Sequence, residues 1–221
     1  MNILFDDSIR AVAPGLRVIA IEADVENTPT SPELWAMIER AAGDIAAITE
    51  LSDVNKRPGI SATRKAYKAL GKEPNRYRPS SEALTRRVVK GMGLYRIDTL
   101  VDLINLISLQ SGYSIGGFDL DKIEGDTLTL GVGREGEPFE AIGRGELNIA
   151  CMPVYRDNVG GIGTPTSDNE RTKLDLSTKQ LLMCVNVYGE DMAIEDTVSL
   201  TVGLLEHFAS ATNVRINYFR P

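Results

Sequence analysis

The stretch TLVDLINLISLQ, residues 99–110, carries seven large apolar side chains: Leu100, Val101, Leu103, Ile104, Leu106, Ile107 and Leu109. At about 100° per residue they point nearly all round a helix, and a helix apolar on every face belongs inside a domain. Its polar exceptions are Asp102, Asn105 and Ser108, spaced by three, which makes a narrow seam. A buried amide left without a partner costs about 1–3 kcal/mol, so Asn105 must meet either a neighbouring loop or a ligand. After the break at Ser111-Gly112 comes YSIGGFDLDKIEGD. The pair Gly116-Gly117 lets the backbone approach something closely, at a bend where a strand starts or at a pocket wall. Asp119 and Asp121 resemble paired carboxylates, yet their spacing before Lys122 fits an Asx-type turn as readily.

Around this helix the chain divides into two textures. LRVIAIEAD (16–24) alternates like a strand, and it is expected to join the main sheet. Thr30-Ser31-Pro32-Glu33 starts a helix that runs to about Leu51. RPG (57–59) breaks the chain, Ser61 caps a second helix ending at Gly71, and Ser80 or Ser81 caps a third through about Met92. Asp98 caps the apolar helix. Beyond Gly112 the short apolar runs TLTLGV, FEAIG, NIACMPVY and QLLMCVNVY read as strands. A last helix, about 192–211, and the strand VRINYF close the chain. The expected fold is a single compact α+β domain spanning 1–221, with helices in the first half packed on a sheet-rich second half. Residues 1–56 form an N-terminal extension of it.

Composition narrows the function. No apolar run reaches 18 residues, so no membrane span is expected. The acidic start, MNILFDDSIR, lacks the bases of a secretory leader, and a cytoplasmic protein is expected. Cys151 and Cys184 are far apart and read as buried thiols. His207 is the single histidine, which leaves little material for a zinc site or a Ser-His-Asp device. Neither a metal nor another cofactor is expected. DNVGGIG (157–163) lacks the lysine and spacing of a P-loop.

Net charge is −7, but its distribution is uneven. Residues 56–96 hold twelve Lys or Arg against Glu73 and Glu82, so this segment is +10 and the remainder −17. On helical wheels Arg64, Lys65, Lys68 and Lys72 share one face, and Arg86, Arg87 and Lys90 another. Arg76 and Arg78 flank Tyr77 in the loop between. Such a stripe is either a solvated face or a binding surface for a polyanion such as tRNA, through phosphate contacts that carry no sequence information.

YRIDTLVDLINLISLQSGYSIGGFDLDKIEGD (95–126) resembles the B3/B4 region of the β subunit of bacterial phenylalanyl-tRNA synthetase. The shared pattern is a helix with Val-Asp and Asn, then a glycine, then FDLDKI-x-G. RPSSEALTRRVVKGMGL and SDNERTKLD resemble free-standing proteins built on that module. In the synthetase the region is an editing module that hydrolyses tyrosine wrongly joined to its tRNA. The resemblance implies a pocket lined by Asn105, Gly116, Gly117 and Asp119, with the 160–163 loop, Gly161 included, and Arg171 or Thr172 on the opposite wall. It puts Gly116 where the family has histidine and Gly117 where it has alanine. The family's strand carboxylate falls near Met183 or Cys184, neither acidic; Asp168, Glu170, Arg171 and Thr172 are available in its stead. It also implies tRNA or aminoacyl-tRNA as partner, held through Arg64, Lys65, Lys68, Arg86, Arg87 and Lys90. The activity implied is hydrolysis of mischarged aminoacyl-tRNA in trans; the alternative is a non-catalytic module that binds a free amino acid or a tRNA end.

Overall fold

In the computed structural model, which describes residues 1–189 and 194–221, the chain begins with β1 (Asn2–Phe5), α1 (Asp7–Val12) and β2 (Arg17–Asp24). Four helices follow: α2 (Pro32–Ile48), α3 (Pro58–Ala69), α4 (Ser80–Val89) and α5 (Thr99–Ser111). Then come β3 (Ser114–Asp119), β4 (Thr127–Val132), β5 (Glu140–Ala141), β6 (Gly145–Glu146), β7 (Pro153–Arg156), β8 (Gly161–Gly163) and β9 (Gln180–Val187). α6 (Ile194–Ala209) and β10 (Thr212–Phe219) complete the described elements.

The strands form a sheet in the order β10-β2-β9-β3, a second in the order β1-β4-β7-β8, and a small β5-β6 hairpin. In the first sheet all neighbours are antiparallel. Successive side chains of a strand face opposite ways. Ile19, Ile21 and Ala23 of β2 therefore pack with Leu34, Ile38, Leu103 and Leu205 of the helices. Val18 and Ala20 pack with Leu128, Leu130 and Tyr155 of the second sheet. The layers run helices, sheet, sheet, in a single α+β domain, and α5 lies in the helix-side core as its apolar circumference requires.

β2 joins the main sheet, between β9 and β10. Residues 1–56 thus supply β1, central β2 and α2. Other boundaries differ from the sequence reading. α3 begins at Pro58 rather than at Ser61, because proline preset for the first turn starts the helix that RPG was expected to interrupt. α4 likewise takes Pro79 as its N-cap, with Ser80 already helical. α5 is capped as expected: the Asp98 side chain accepts from the Val101 N–H, and Gly112 ends the helix at φ +79°. β1, α1, β3, β6 and β8 are not among the elements expected from the sequence. The expected start of the last helix, at 192, lies outside the described residues. Among those described, no helix is long and apolar enough to cross a membrane.

Candidate functional site

A cavity of about 460 Å³ opens beside α5, within the size range of small-molecule sites. One wall is the α5 face carrying Val101, Ile104, Asn105 and Ser108; Ser80 and Leu84 of α4 and Gly117 of β3 continue it. The opposite wall is the segment from Lys173 to Leu176, and Asp168 lies beside Gly117. Ile97, Ile142 and Leu176, all lining residues, are large apolar side chains left exposed, and they mark its mouth.

The polar seam of α5 resolves into three fates. The Asp102 carboxylate accepts from the Thr30 hydroxyl at 2.5 Å and from the Ile97 N–H, and burial raises its pKa. The Ser108 hydroxyl donates to the Tyr113 carbonyl at 2.6 Å. Asn105 is half-buried, faces the cavity, and its amide has no hydrogen-bond partner among the described residues. Of the two options the sequence left open, the tie to a neighbouring loop is not the one formed.

Asp168 lines the same cavity at the edge of β3. Its carboxylate accepts at 3.1 Å from the N–H of Gly117, on the edge strand β3. The turn before it is closed by the Thr164 side chain, whose oxygen accepts from the Thr166 and Ser167 N–H groups. Desolvation pushes the Asp168 carboxyl up to about 7, with the Gly117 N–H opposing the shift. A carboxyl titrating there can take or give a proton near neutral pH.

The glycine pair serves two faces, because neighbours on a strand point opposite ways. Gly117 opens toward α5: a Cβ there would lie 2.4 Å from Ile104 Cδ1 and 3.1 Å from Leu174 Cδ1. Gly116 opens toward the second sheet, where a Cβ would lie 2.7 Å from the Phe118 ring and 3.5 Å from Asp168 Oδ1. Gly163 meets the same ring and the same carboxylate. Gly116 is therefore not a wall of the cavity but makes room behind it for Phe118 and Asp168.

The FDLDK motif buttresses the far wall. Lys122 Nζ reaches Asp175 at 2.6 Å, Asp119 at 3.2 Å and the Lys173 carbonyl at 2.9 Å. Asp119 accepts from the Thr178 hydroxyl and from the Asp121 N–H, so it is the turn-former of the sequence reading and not a cavity group. Arg171 bonds the Lys122 carbonyl and Asp157, which ties down the 157–161 loop. Gly161 packs on Phe139, away from the cavity. Thr172 is fully buried, and its hydroxyl has no partner among the described residues. The wall expected at Gly160–Gly163 and Arg171 is thus formed by Lys173–Leu176. Asp98, Ser80 and Lys173, which the sequence reading did not place in the pocket, line it as well. No group of three or more His, Cys, Asp or Glu converges as a metal would require, among the described residues.

The basic segment is less exposed than its wheel suggested. Glu82, fully buried, accepts from Arg64 at 2.7 Å and from Arg86 at 2.8 Å. Arg64 also bonds the Asn75 side chain. A wheel cannot show that one buried acid draws two of the stripe's arginines inward. Arg87 bonds the Gly93 carbonyl and lies over the Tyr95 ring. Lys72 donates to the carbonyls of Asn148 and Ala150. Lys65, Lys68 and Lys90 stand exposed with no ion pair among the described residues.

The fold is an α+β domain with a cavity of small-molecule size, lined by the Asn105 amide and the Asp168 carboxyl. The B3/4 domain family matches residues 62–200, and the chain belongs to that family. Over 98 residues it is 33% identical to the phenylalanine–tRNA ligase β subunits of Bartonella henselae and Bartonella quintana. That alignment covers 43% of this chain and 12% of each relative, so the chain matches a small part of those proteins. A solved N-terminal fragment of the phenylalanyl-tRNA synthetase β subunit from Pyrococcus horikoshii aligns with TM-score 0.47 at 14% identity, over 97% of this chain and 50% of that one.

Proposed function

We propose that this chain is a tRNA-related module whose cavity takes the aminoacyl group of an aminoacyl-tRNA and hydrolyses the ester that joins the two. The observation that carries the reading is that one cavity is lined by both the Asn105 amide and the Asp168 carboxyl, which titrates near 7. In the ionised form Asp168 takes a proton from a water whose oxygen attacks the ester carbonyl carbon. The Asn105 N–H donates to the carbonyl oxygen as negative charge builds there. The ribose oxygen leaves and recovers the proton from Asp168, which yields a free amino acid and deacylated tRNA. Asp168 thus serves in place of the family's strand carboxylate. Lys65, Lys68, Arg87 and Lys90 contact tRNA phosphates, while Arg64 and Arg86 hold the scaffold through Glu82. The setting proposed is the cytoplasm.

Binding without turnover is the second reading, for a free amino acid or a tRNA end. It is favoured by the cavity's lack of a lining histidine among the described residues and by the engagement of Ser108 with a backbone carbonyl. A deacylation screen across mischarged tRNAs separates the two. Turnover abolished by Asp168→Asn supports hydrolysis. Saturable binding of aminoacyl-tRNA with no turnover on any substrate supports the second reading.

A further inference from the structure

A second cleft, of about 490 Å³, is lined by Arg76, Tyr77, Arg78 and Arg144, with Glu146 and Thr166 beside them. None of the three guanidinium groups forms an ion pair among the described residues, and all three residues are exposed. Three like charges held in one concavity against the single carboxylate of Glu146 are a standing repulsion that an anion relieves. Tyr77 adds an aromatic face, already 3.7 Å from Lys72 Nζ and within 5.4 Å of the Arg76 guanidinium.

The position of this cleft matters as much as its charge. It shares three segments with the aminoacyl cavity. On α4, Ser80 and Leu84 face the cavity while Ala83 faces the cleft. In the β5–β6 hairpin, Ile142 lines one and Arg144 the other. In the closed turn, Asp168 lines one and Thr166 the other. Residues two apart are separated by at most about 7 Å, so the two depressions are back-to-back neighbours. The Ser80 N–H bonded to the Pro165 carbonyl at 2.8 Å fixes the shared wall.

We propose that the Arg76–Tyr77–Arg78–Arg144 cleft is a single-stranded RNA subsite. It would hold the phosphodiesters just behind the aminoacylated terminal nucleotide, with one base stacked on Tyr77. Alternation of backbone-tracking cations with an aromatic platform is the chemistry by which proteins hold single strands. The proposal rests on the aminoacyl-tRNA reading of the adjoining cavity, but its test does not need turnover. Lys65, Lys68 and Lys90 do not line this cleft.

The probe is a fluorescent RNA hexamer with the 3′-terminal cytidine-cytidine-adenosine of tRNA, titrated by anisotropy at several salt concentrations. The Arg76→Ala/Arg78→Ala/Arg144→Ala variant should lose roughly tenfold or more in affinity. The slope of log affinity on log salt should fall by about 2, at about 0.7 per phosphate contact on a single strand. Replacement of the same three by lysine should retain most of that slope, and circular dichroism should show both variants folded. Arg40→Ala, which removes an exposed base of α2, should bind the hexamer as the parent does. The proposal is overturned if the parent fails to bind the hexamer at low salt, if the arginine variant binds with unchanged affinity and slope, or if Lys65→Ala/Lys68→Ala/Lys90→Ala carries the whole loss instead. Loss of hexamer binding in the arginine variant, together with no deacylation of any tRNA by the parent, would support the subsite and sink the hydrolytic reading alone.

Discussion

Two polar clusters lie close together on α4 and α5, and they end differently. Around Glu82, two arginines close on one buried carboxylate, and one of them, Arg64, also donates to the Asn75 side-chain oxygen. Around the α5 cavity, Asn105 has no partner among the described residues and Asp168 receives one backbone N–H. Buried polar groups in native proteins are nearly always satisfied, as Glu82 is, whereas the half-buried Asn105 amide opens on the cavity, where a ligand can bond it. A charge count cannot tell these apart; only the completeness of the bonding does.

The contrast can be broken hardest at Glu82. Glu82→Ala should cost about 3–5 kcal/mol, because it strands Arg64 as a buried, unpaired charge. A chemical denaturation midpoint unchanged within error would show that this cluster is not glue. Next is Gly117→Ala, whose Cβ must push into Ile104: about 1–3 kcal/mol is expected from overpacking. Adding Ile104→Val, which removes the obstructing methyl, should recover part of that loss in a thermal melt.

Asp168→Asn sharpens the comparison through pH. The folded carboxyl titrates near 7, well above the roughly 3.9 of an unfolded aspartate. The folded state therefore holds the proton more tightly. The stability this provides is fully present below about pH 4 and is lost as pH rises through 7. Asparagine carries no such loss, so the melting temperature of the variant minus that of the parent should increase between pH 5 and pH 8. A difference that stays flat or shrinks would count against a desolvated carboxyl. The smallest effect is expected from Asn105→Ala, within about 0.5 kcal/mol, since no internal bond is removed. A loss above 2 kcal/mol would reveal a structural asparagine.

How far the sequence reached follows from these same residues. The burial of α5, its Asp98 cap and the incorporation of 16–24 into the sheet were legible because they depend on local periodicity and local chemistry. Asn105 was legible as an anomaly on an apolar helix. Asp168 was visible only as one of several nearby polar residues, since its raised pKa comes from burial in the folded chain, where it meets a strand edge 51 residues away. The roles of Gly116 and Gly117 diverge because β3 is a strand, and a strand was not assigned there. The inward turn of Arg64 and Arg86 rests on a long-range partner that no helical wheel contains. The FDLDK motif was legible as a mark of kinship, while its work, a buttress under the far wall, appears only in the bonds of Asp119 and Lys122.

The central claim is that Asp168 and Asn105 act on one ester held between them. Its most direct test is the pH dependence of deacylation, measured on the mischarged tRNA the parent cleaves fastest. The parent kcat/KM should rise about tenfold per pH unit below 7 and level above it, as Asp168 ionises. Asp168→Asn should lower the rate by about 10²–10⁴ and flatten that profile, the range typical of a lost general base. An Asp168→Asn variant that cleaves at the parent rate, with the same pH profile, would contradict the account.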